Sequence, residues 1–373
     1  MKLLVIFLAI LVTVSAACAQ APAKPQTPSP APKPPAETPQ PPPPPPPPAK
    51  PEKTRAEAIP ANATKMTRST DTLPPKLHST EYQQPVPLGS GVNTAGGEDS
   101  AFVTPDGNTL YFFFTPDVST PAEKQLLDGV TGIWVSRKEG GQWQPAQRVW
   151  LQDKNDVALD GCAFVQRNIL WFCSVRKDNL SGVDMWIAEY KDGKWTNWKN
   201  AGKKLNVDYD LGEMHLSADG NELYFHSPRA GGKGQYDIWV SKKVGGDWQE
   251  PQNIEAVNTP DNEGWPFISQ NGNELWFHRT YMGAPAIFRS KKVDGKWGKP
   301  EHIVSQFAAE PSLDNAGNLY FVHHYFKNGK MIEADIYVAY RKYGAEKSKA
   351  NQQAGKRLYN SSWADKPGIG DYR

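Results

Sequence analysis

The stretch from Gly212 to Pro251, GEMHLSADGNELYFHSPRAGGKGQYDIWVSKKVGGDWQEP, constrains the fold more than any other part of the chain. It holds three apolar strands and the start of a fourth, separated by turn signals, and variants of it recur along most of the sequence. Its second strand, Leu223-Tyr224-Phe225, returns as Leu110-Tyr111-Phe112, Leu170-Trp171-Phe172, Leu275-Trp276-Phe277 and Leu319-Tyr320-Phe321. The spacing is roughly 50 residues, in the range of four-stranded propeller blades. Asp106-Gly107-Asn108, Asp219-Gly220-Asn221, Asn271-Gly272-Asn273 and Ala316-Gly317-Asn318 precede four of these strands. Gly and Asn accept positive φ, so such turns signal hairpins.

The third strand recurs as Gly132-Ile133-Trp134-Val135, Asp184-Met185-Trp186-Ile187, Asp237-Ile238-Trp239-Val240, Ala286-Ile287-Phe288 and Asp335-Ile336-Tyr337-Val338. The fourth begins at Trp143, Trp195, Trp248 and Trp297 after a Gly-rich turn. The fifth repeat lacks it. Near the other end, Tyr82-Gln83-Gln84-Pro85 through Val92-Asn93-Thr94 parallels Trp248-Gln249-Glu250-Pro251 through Val257-Asn258-Thr259. The expectation is an all-β, five-bladed β-propeller of four-stranded blades, closed by an N-terminal strand in the last blade. Such closure removes free sheet edges. The Asp of the third strand is expected to cap a turn, and the fourth-strand tryptophans to pack between blades.

These residues resemble the PD40-type, WD40-like propeller repeats of bacterial envelope proteins, including the TolB family. The pattern is acid–x–Pro/apolar, then Asp-Gly-x-x-Leu-Tyr-Phe, then Asp-Ile-Trp/Tyr-Val, over about residues 80 to 345. The second repeat departs from it at Gln166-Arg167-Asn168, and the fourth at Ala286. The resemblance implies an envelope location, with envelope proteins or wall glycans as partners. It does not name them.

Around the repeats, residues 1–19 read as a secretory signal: Lys2, an apolar core from Leu3 to Val14, and Ala17-Cys18-Ala19. That core is too short to span a membrane. Cys18 leaves lipoprotein processing open beside plain cleavage after Ala19, although Ser15 stands where an aliphatic residue is usual. A lipid on Cys18 would be the one membrane anchor. Residues 20–77 read as a Pro-rich, disordered linker with an unbroken Pro41 to Pro48, an extended spacer or a leader without a task. The propeller is placed at 78–345 and a polar tail at 346–373. The protein is expected to be exported, periplasmic or outer-membrane-associated. Lys and Arg nearly balance Asp and Glu, 42 against 40, which leaves no broad basic field for nucleic acid.

Cys162 and Cys173 fall on the first and second strands of the second repeat, the turn at Arg167-Asn168 is expected to place them opposite each other, and they are a disulfide candidate. No phosphate loop, Gly-x-Ser-x-Gly, haem motif or Cys/His metal pattern is present. Neither cofactor nor metal is expected.

Acidic residues gather where each first strand starts: Glu98 and Asp99, Asp160, Glu213, Glu263 and Glu310. Arg176, Arg229, Arg279 and His323 with His324 end second strands, and His226 and His278 match in adjacent repeats. Three uses compete. The acids satisfy backbone donors and pair with the arginines; or acids, arginines and His323 form a binding face for a protein or glycan; or Asp99 and Glu213, modulated by Asp160, hydrolyse a glycoside. The acids stand one, two or three residues before Ala101, Cys162, Met214, Pro266 and Pro311. Strand side chains alternate, so no single coherent ring of acids is expected.

Overall fold

The computed structural model describes residues 53–153 and 156–342. The signal, Cys18, the proline run and the polar tail lie outside these residues. The described chain is all-β apart from two one-turn α-helices and a five-residue π-helix, Lys204–Asp208.

The strands form four hydrogen-bonded sheets, in which five runs of antiparallel strands follow one another along the chain, the first and the fifth joined by a parallel bridge of Gly97 to Ala334. The first contains Gly97–Val103, Thr109–Thr115 and Gly132–Glu139, the second Ala158–Gln166, Ile169–Arg176, Asp184–Lys191 and Lys194–Asn200. The third contains Met214–Leu216, Glu222–Ser227 and Asp237–Val244, the fourth Glu263–Ile268, Glu274–Tyr281, Ala284–Val293 and Glu301–Ser305. The fifth contains Ala308–Leu313, Leu319–Lys327 and Lys330–Ala339. Two short strands, Gln142–Trp143 with Gln147–Arg148 and Asp247–Trp248 with Gln252–Asn253, take the fourth place in repeats one and three. In the fifth repeat Val86–Pro87 pairs antiparallel with the third strand, and Tyr82 bridges Arg341. Asn93 seals this edge. Its amide accepts from Ile336 N (3.0 Å) and donates to Ile336 O (3.0 Å), as Asn258 does to Ile238 (2.8 Å each).

The turns form as their residues dictate. Gly107, Gly220, Gly272 and Gly317 all have φ between 70° and 77°. Asp106, Asp219 and Asn271 each accept from the backbone N–H two residues on, closing Asx turns. Asp184 and Asp237 cap the turns before their strands, each accepting two backbone N–H groups.

The fourth-strand aromatics do pack between repeats. Trp195 meets Tyr111, Trp297 meets Tyr224, and Tyr82 meets Trp276, edge to face at 6.1–6.4 Å. Trp143 of the first repeat meets Tyr320 of the fifth (6.3 Å). The inner strands also touch in turn: Phe102 with Phe164, Phe164 with His215, His215 with Phe267, and Ser312 Oγ with Val103 N (3.2 Å). This is an all-β architecture of propeller type.

Two expectations need correction. Residues 53–77 are not a free spacer. Lys76–Leu77 pairs with Glu301–Ser305, Arg55 is buried, and Lys65 bonds Glu333 and Asp335. Cys162 and Cys173 are free thiols. Gly161, not Cys162, stands opposite Cys173, because Cys162 is the extra residue of a β-bulge, at φ 52°.

Candidate functional site

That bulge is the key to the inner strands. Register slips at the equivalent place in four repeats, between Asp99 and Phe102, Gly161 and Phe164, Gly264 and Phe267, and Ala309 and Ser312. Each slip carries a non-glycine residue in the left-handed region: Ser100 (49°), Cys162 (52°), Trp265 (49°) and Glu310 (57°). Such residues are uncommon and strained. The bulge interrupts the two-residue alternation, so offsets counted along the sequence do not give side-chain directions. The expected scatter of acids resolves into two sets.

The first set stands two residues before the bulge position: Glu98, Asp160 and Glu263, each without measurable exposure. Each meets one guanidinium, Arg55 Nη1 at 3.1 Å, Arg176 Nη2 at 2.5 Å and Arg279 Nε at 2.6 Å. The guanidiniums also lie over aromatic faces, Arg55 on Phe112, Phe114 and Trp134, Arg176 on Phe172 and Trp186, and Arg279 on Phe277 and Phe288. Burial pushes Glu98 up to about 8 against the opposing pull of Arg55. Three donors nevertheless converge on its two oxygens, from Arg55, Thr94 N and Thr94 Oγ1, an arrangement that fits the ionised form.

Arg55 was not visible as a partner, because it lies in the stretch read as linker. Its local signal was a capping box: Thr54 Oγ1 accepts from Glu57 N, and the Glu57 carboxylate accepts from Thr54 N. The same segment completes the fifth repeat in the opposite sense. His323 is fully buried with no inner-strand acid beside it, Ala308 being its cross-strand neighbour, and Asp71 Oδ2 meets its Nε2 at 3.0 Å. Arg176 and Arg279, expected on an open face, thus have their charges met inside the protein, and His323 meets Asp71 there.

The second set is Asp99, Glu213 and Glu310, which reach a common centre without an arginine. Burial opposes ionisation of Asp99, but the hydrogen bond and charge of His324 (3.5 Å), with the contacts to Glu310 and Ser100 N, overcome it and hold the carboxyl at about 2. Burial, then the negative charges of Asp99 and Glu213, push Glu310 far up. Burial first, and Asp99 next among the raising influences, push Glu213 up to about 8. Like charges sharing a site cannot all ionise, so Asp99 is held toward the carboxylate and Glu213 and Glu310 toward the protonated form. Cys162 Sγ donates to Glu213 Oε1 (2.9 Å), and burial pushes both thiols up.

Glu213 and Glu310 line a cavity of about 50 Å³ with Ser100, Cys162, His215 and Trp265. That is room for a few waters. Pockets for drug-sized ligands run from about 300 Å³. Trp265 is sandwiched between His226 (4.9 Å) and His278 (4.2 Å), and burial pushes both imidazoles down, to about 4 and about 3, so they stay neutral. Among the described residues no group of His, Cys, Asp and Glu is arranged to hold a metal ion.

No family model matches the chain, and no curated protein matches it. Among solved structures it is similar to the endo-arabinase of Bacteroides thetaiotaomicron, at 14% identity and TM-score 0.42, over 70% of this chain and 98% of that one. It is similar to TolB of Acinetobacter baumannii, at 12% and 0.38, over 68% and 57%. A third is the alpha-L-arabinofuranosidase PaAbf62A of Podospora anserina, at 9% and 0.40, over 70% and 96%. At these scores the likenesses decide nothing about ligand or activity.

Proposed function

We propose that the chain is an exported five-bladed propeller, closed by its own N-terminal strand, that serves a cell envelope as a non-enzymatic binding or scaffold module. Its partner is an envelope protein or wall glycan held on the face where the inner strands begin. The cyclic run of aromatic contacts, ending in Trp143 on Tyr320, supports the ring. Tyr82 and Asn93 in the fourth-strand place of the fifth repeat support the closure.

One observation carries the non-enzymatic reading. Three of six inner acids are consumed in buried arginine pairs, and of the other three Glu213 and Glu310 line a cavity of only about 50 Å³ while Asp99 is buried against His324. A sugar ring has no room beside them. Asp160, the modulator of the hydrolase alternative, is locked to Arg176. One feature favours the alternative: Asp99 is pushed toward the carboxylate while Glu213 and Glu310 are pushed toward the protonated form, the direction of separation an acid–base pair requires.

Two measurements decide between them. Photo-crosslinkers at exposed Leu127, Leu180 and Met282 in the expressing cell should trap one discrete envelope partner, whereas crosslinkers at exposed Val244 and Val293 on outer hairpins should not. A panel of plant and wall polysaccharides should show no turnover by the wild type. Hydrolysis abolished by Glu213→Gln at unchanged melting temperature would replace the binding reading with the hydrolase.

A further inference from the structure

The repeats allow a comparison inside one molecule. In repeats one, two and four a guanidinium sits over aromatic rings and meets a buried inner-strand carboxylate. It also donates to a backbone carbonyl: Arg55 to Val92 O, Arg176 to Leu151 O, Arg279 to Val257 O. The third repeat keeps the cation and its aromatics. Arg229 lies over Tyr209 (5.6 Å) and Trp239 (5.0 Å). Both acceptors are gone. Leu211 stands where Glu263 stands in the fourth repeat. The segment that would supply the carbonyl is wound into the π-helix Lys204–Asp208, a rare form frequent at functional sites.

Two donors are left over. Arg229 Nη1 is buried without a partner, and so is Nε1 of Trp239, itself only 5% exposed. The matching indoles are satisfied, Trp134 by Val130 O and Trp186 by Asn179 Oδ1. Arg229 Nη2 reaches only Glu250, whose side chain is 76% exposed, a solvent-facing pair worth little. Exposed Asp210 has no hydrogen bond or ion pair with Arg229 among the described residues.

We propose that Arg229 and Trp239 form a carboxylate-accepting site, and that its occupant is an extended acidic segment of a partner protein. The molecule already contains the precedent. Where repeats one and five lack a partner group, the segment at 53–77 crosses them and supplies it, Arg55 from a one-turn helix to Glu98 and Asp71 to His323. The third repeat has the same deficit, of a buried acid, and in cis only the exposed Glu250 reaches its arginine. Repeats two and four fill the place with Asp160 and Glu263, which sets the ligand chemistry as an Asp or Glu side chain. This rests on the reading of the protein as a binding module and names the chemistry of one of its contacts.

The test uses the full chain with 15N-labelled tryptophan indoles, the Trp239 signal being assigned by Trp239→Phe. The probe is a capped Gly-rich pentapeptide with one central Glu, its control the same peptide with Gln. The Glu peptide should shift the Trp239 indole and the Gln peptide should not. Arg229→Met should weaken binding about tenfold, as loss of a charge-assisted hydrogen bond does. Leu211→Glu should abolish it by filling the place in cis, with an unchanged or raised melting temperature that separates blockade from misfolding. Equal shifts from both peptides, or unaltered binding to Leu211→Glu, would overturn the site. A shift produced by galacturonate and not by the Glu peptide would overturn the peptide assignment. If these fail while Leu127, Leu180 and Met282 still crosslink one partner, this site falls and the binding module stands.

Discussion

At the scale of single residues, the inner carboxyls differ because of what surrounds them, not because of their type. Glu263 and Glu213 are both glutamates near the start of inner strands, yet one faces Arg279 and the other faces Asp99. The sequence made all six acids visible and could not sort them. The sorting depends on the bulges at Ser100, Cys162, Trp265 and Glu310, and those positions share no side-chain chemistry. The same bulge is why Cys162 looked opposite Cys173. A pH dependence follows. Glu213 is raised from 4.5 to about 8 on folding, so the folded state binds more protons than the unfolded one between those values. Its contribution to stability is present below pH 4.5 and is lost as pH rises through about 8. Asp99, lowered to about 2, has the opposite sign, and its contribution is lost only as pH falls toward 2. Glu213→Gln should therefore flatten the fall in stability between pH 5 and 8, read from urea midpoints in that range, and raise the midpoint most at pH 8. A slope identical to wild type would mean that Glu213 is ionised throughout.

At the scale of elements, the hairpins were legible because Gly107, Gly220, Gly272 and Gly317 must stand where φ is positive, and the strands because aromatic pairs recur at fixed places. The segment 53–77 was not legible. Composition placed it with the proline run that precedes it, and its fixed points are isolated residues, Arg55, Lys65 and Asp71, whose partners are distant in sequence. The capping box at Thr54 to Glu57 was the one local signal. This segment holds the fold rather than extending from it. Arg55→Ala would leave Glu98 buried without its cation, a change that costs about 3–5 kcal/mol when the charge has no escape. Glu98 has one, because burial already drives it toward the protonated form. The loss should be near the lower end at pH 6 and should grow toward pH 9, as ionisation without Arg55 becomes the only alternative to unfolding. Chemical denaturation of Arg55→Ala at both pH values measures this. Arg55→Ala with Glu98→Gln should remove the pH dependence of the difference. A loss equal at both pH values would show that Glu98 does not titrate in the variant.

At the scale of the molecule, the two ends of the repeat array are held by contacts of very different sequence reach. Asn93 bonds Ile336 across 243 residues, whereas Asn258 makes the same pair of bonds to Ile238 across 20. Either alanine variant leaves a buried N–H and C=O unpaired, and the local costs should be similar, about 1–3 kcal/mol. The entropy of bringing the partners together is not similar. Loop closure grows as (3/2)RT ln n, so the Asn93 contact needs about 2 kcal/mol more than the Asn258 contact. A contact with so high an entropic threshold forms late, after the repeats between its partners have condensed. Mutations of late contacts change the unfolding rate and leave the folding rate alone. Asn93→Ala should speed unfolding by about tenfold or more with folding unchanged, as RT ln 10 per 1.4 kcal/mol implies. Asn258→Ala should divide its effect between the two rates. Stopped-flow unfolding and refolding of both variants, with limited trypsinolysis to follow release of residues 53–94, separates these outcomes. The same kinetic signature in both would mean that the fifth repeat folds with its N-terminal strand already in place.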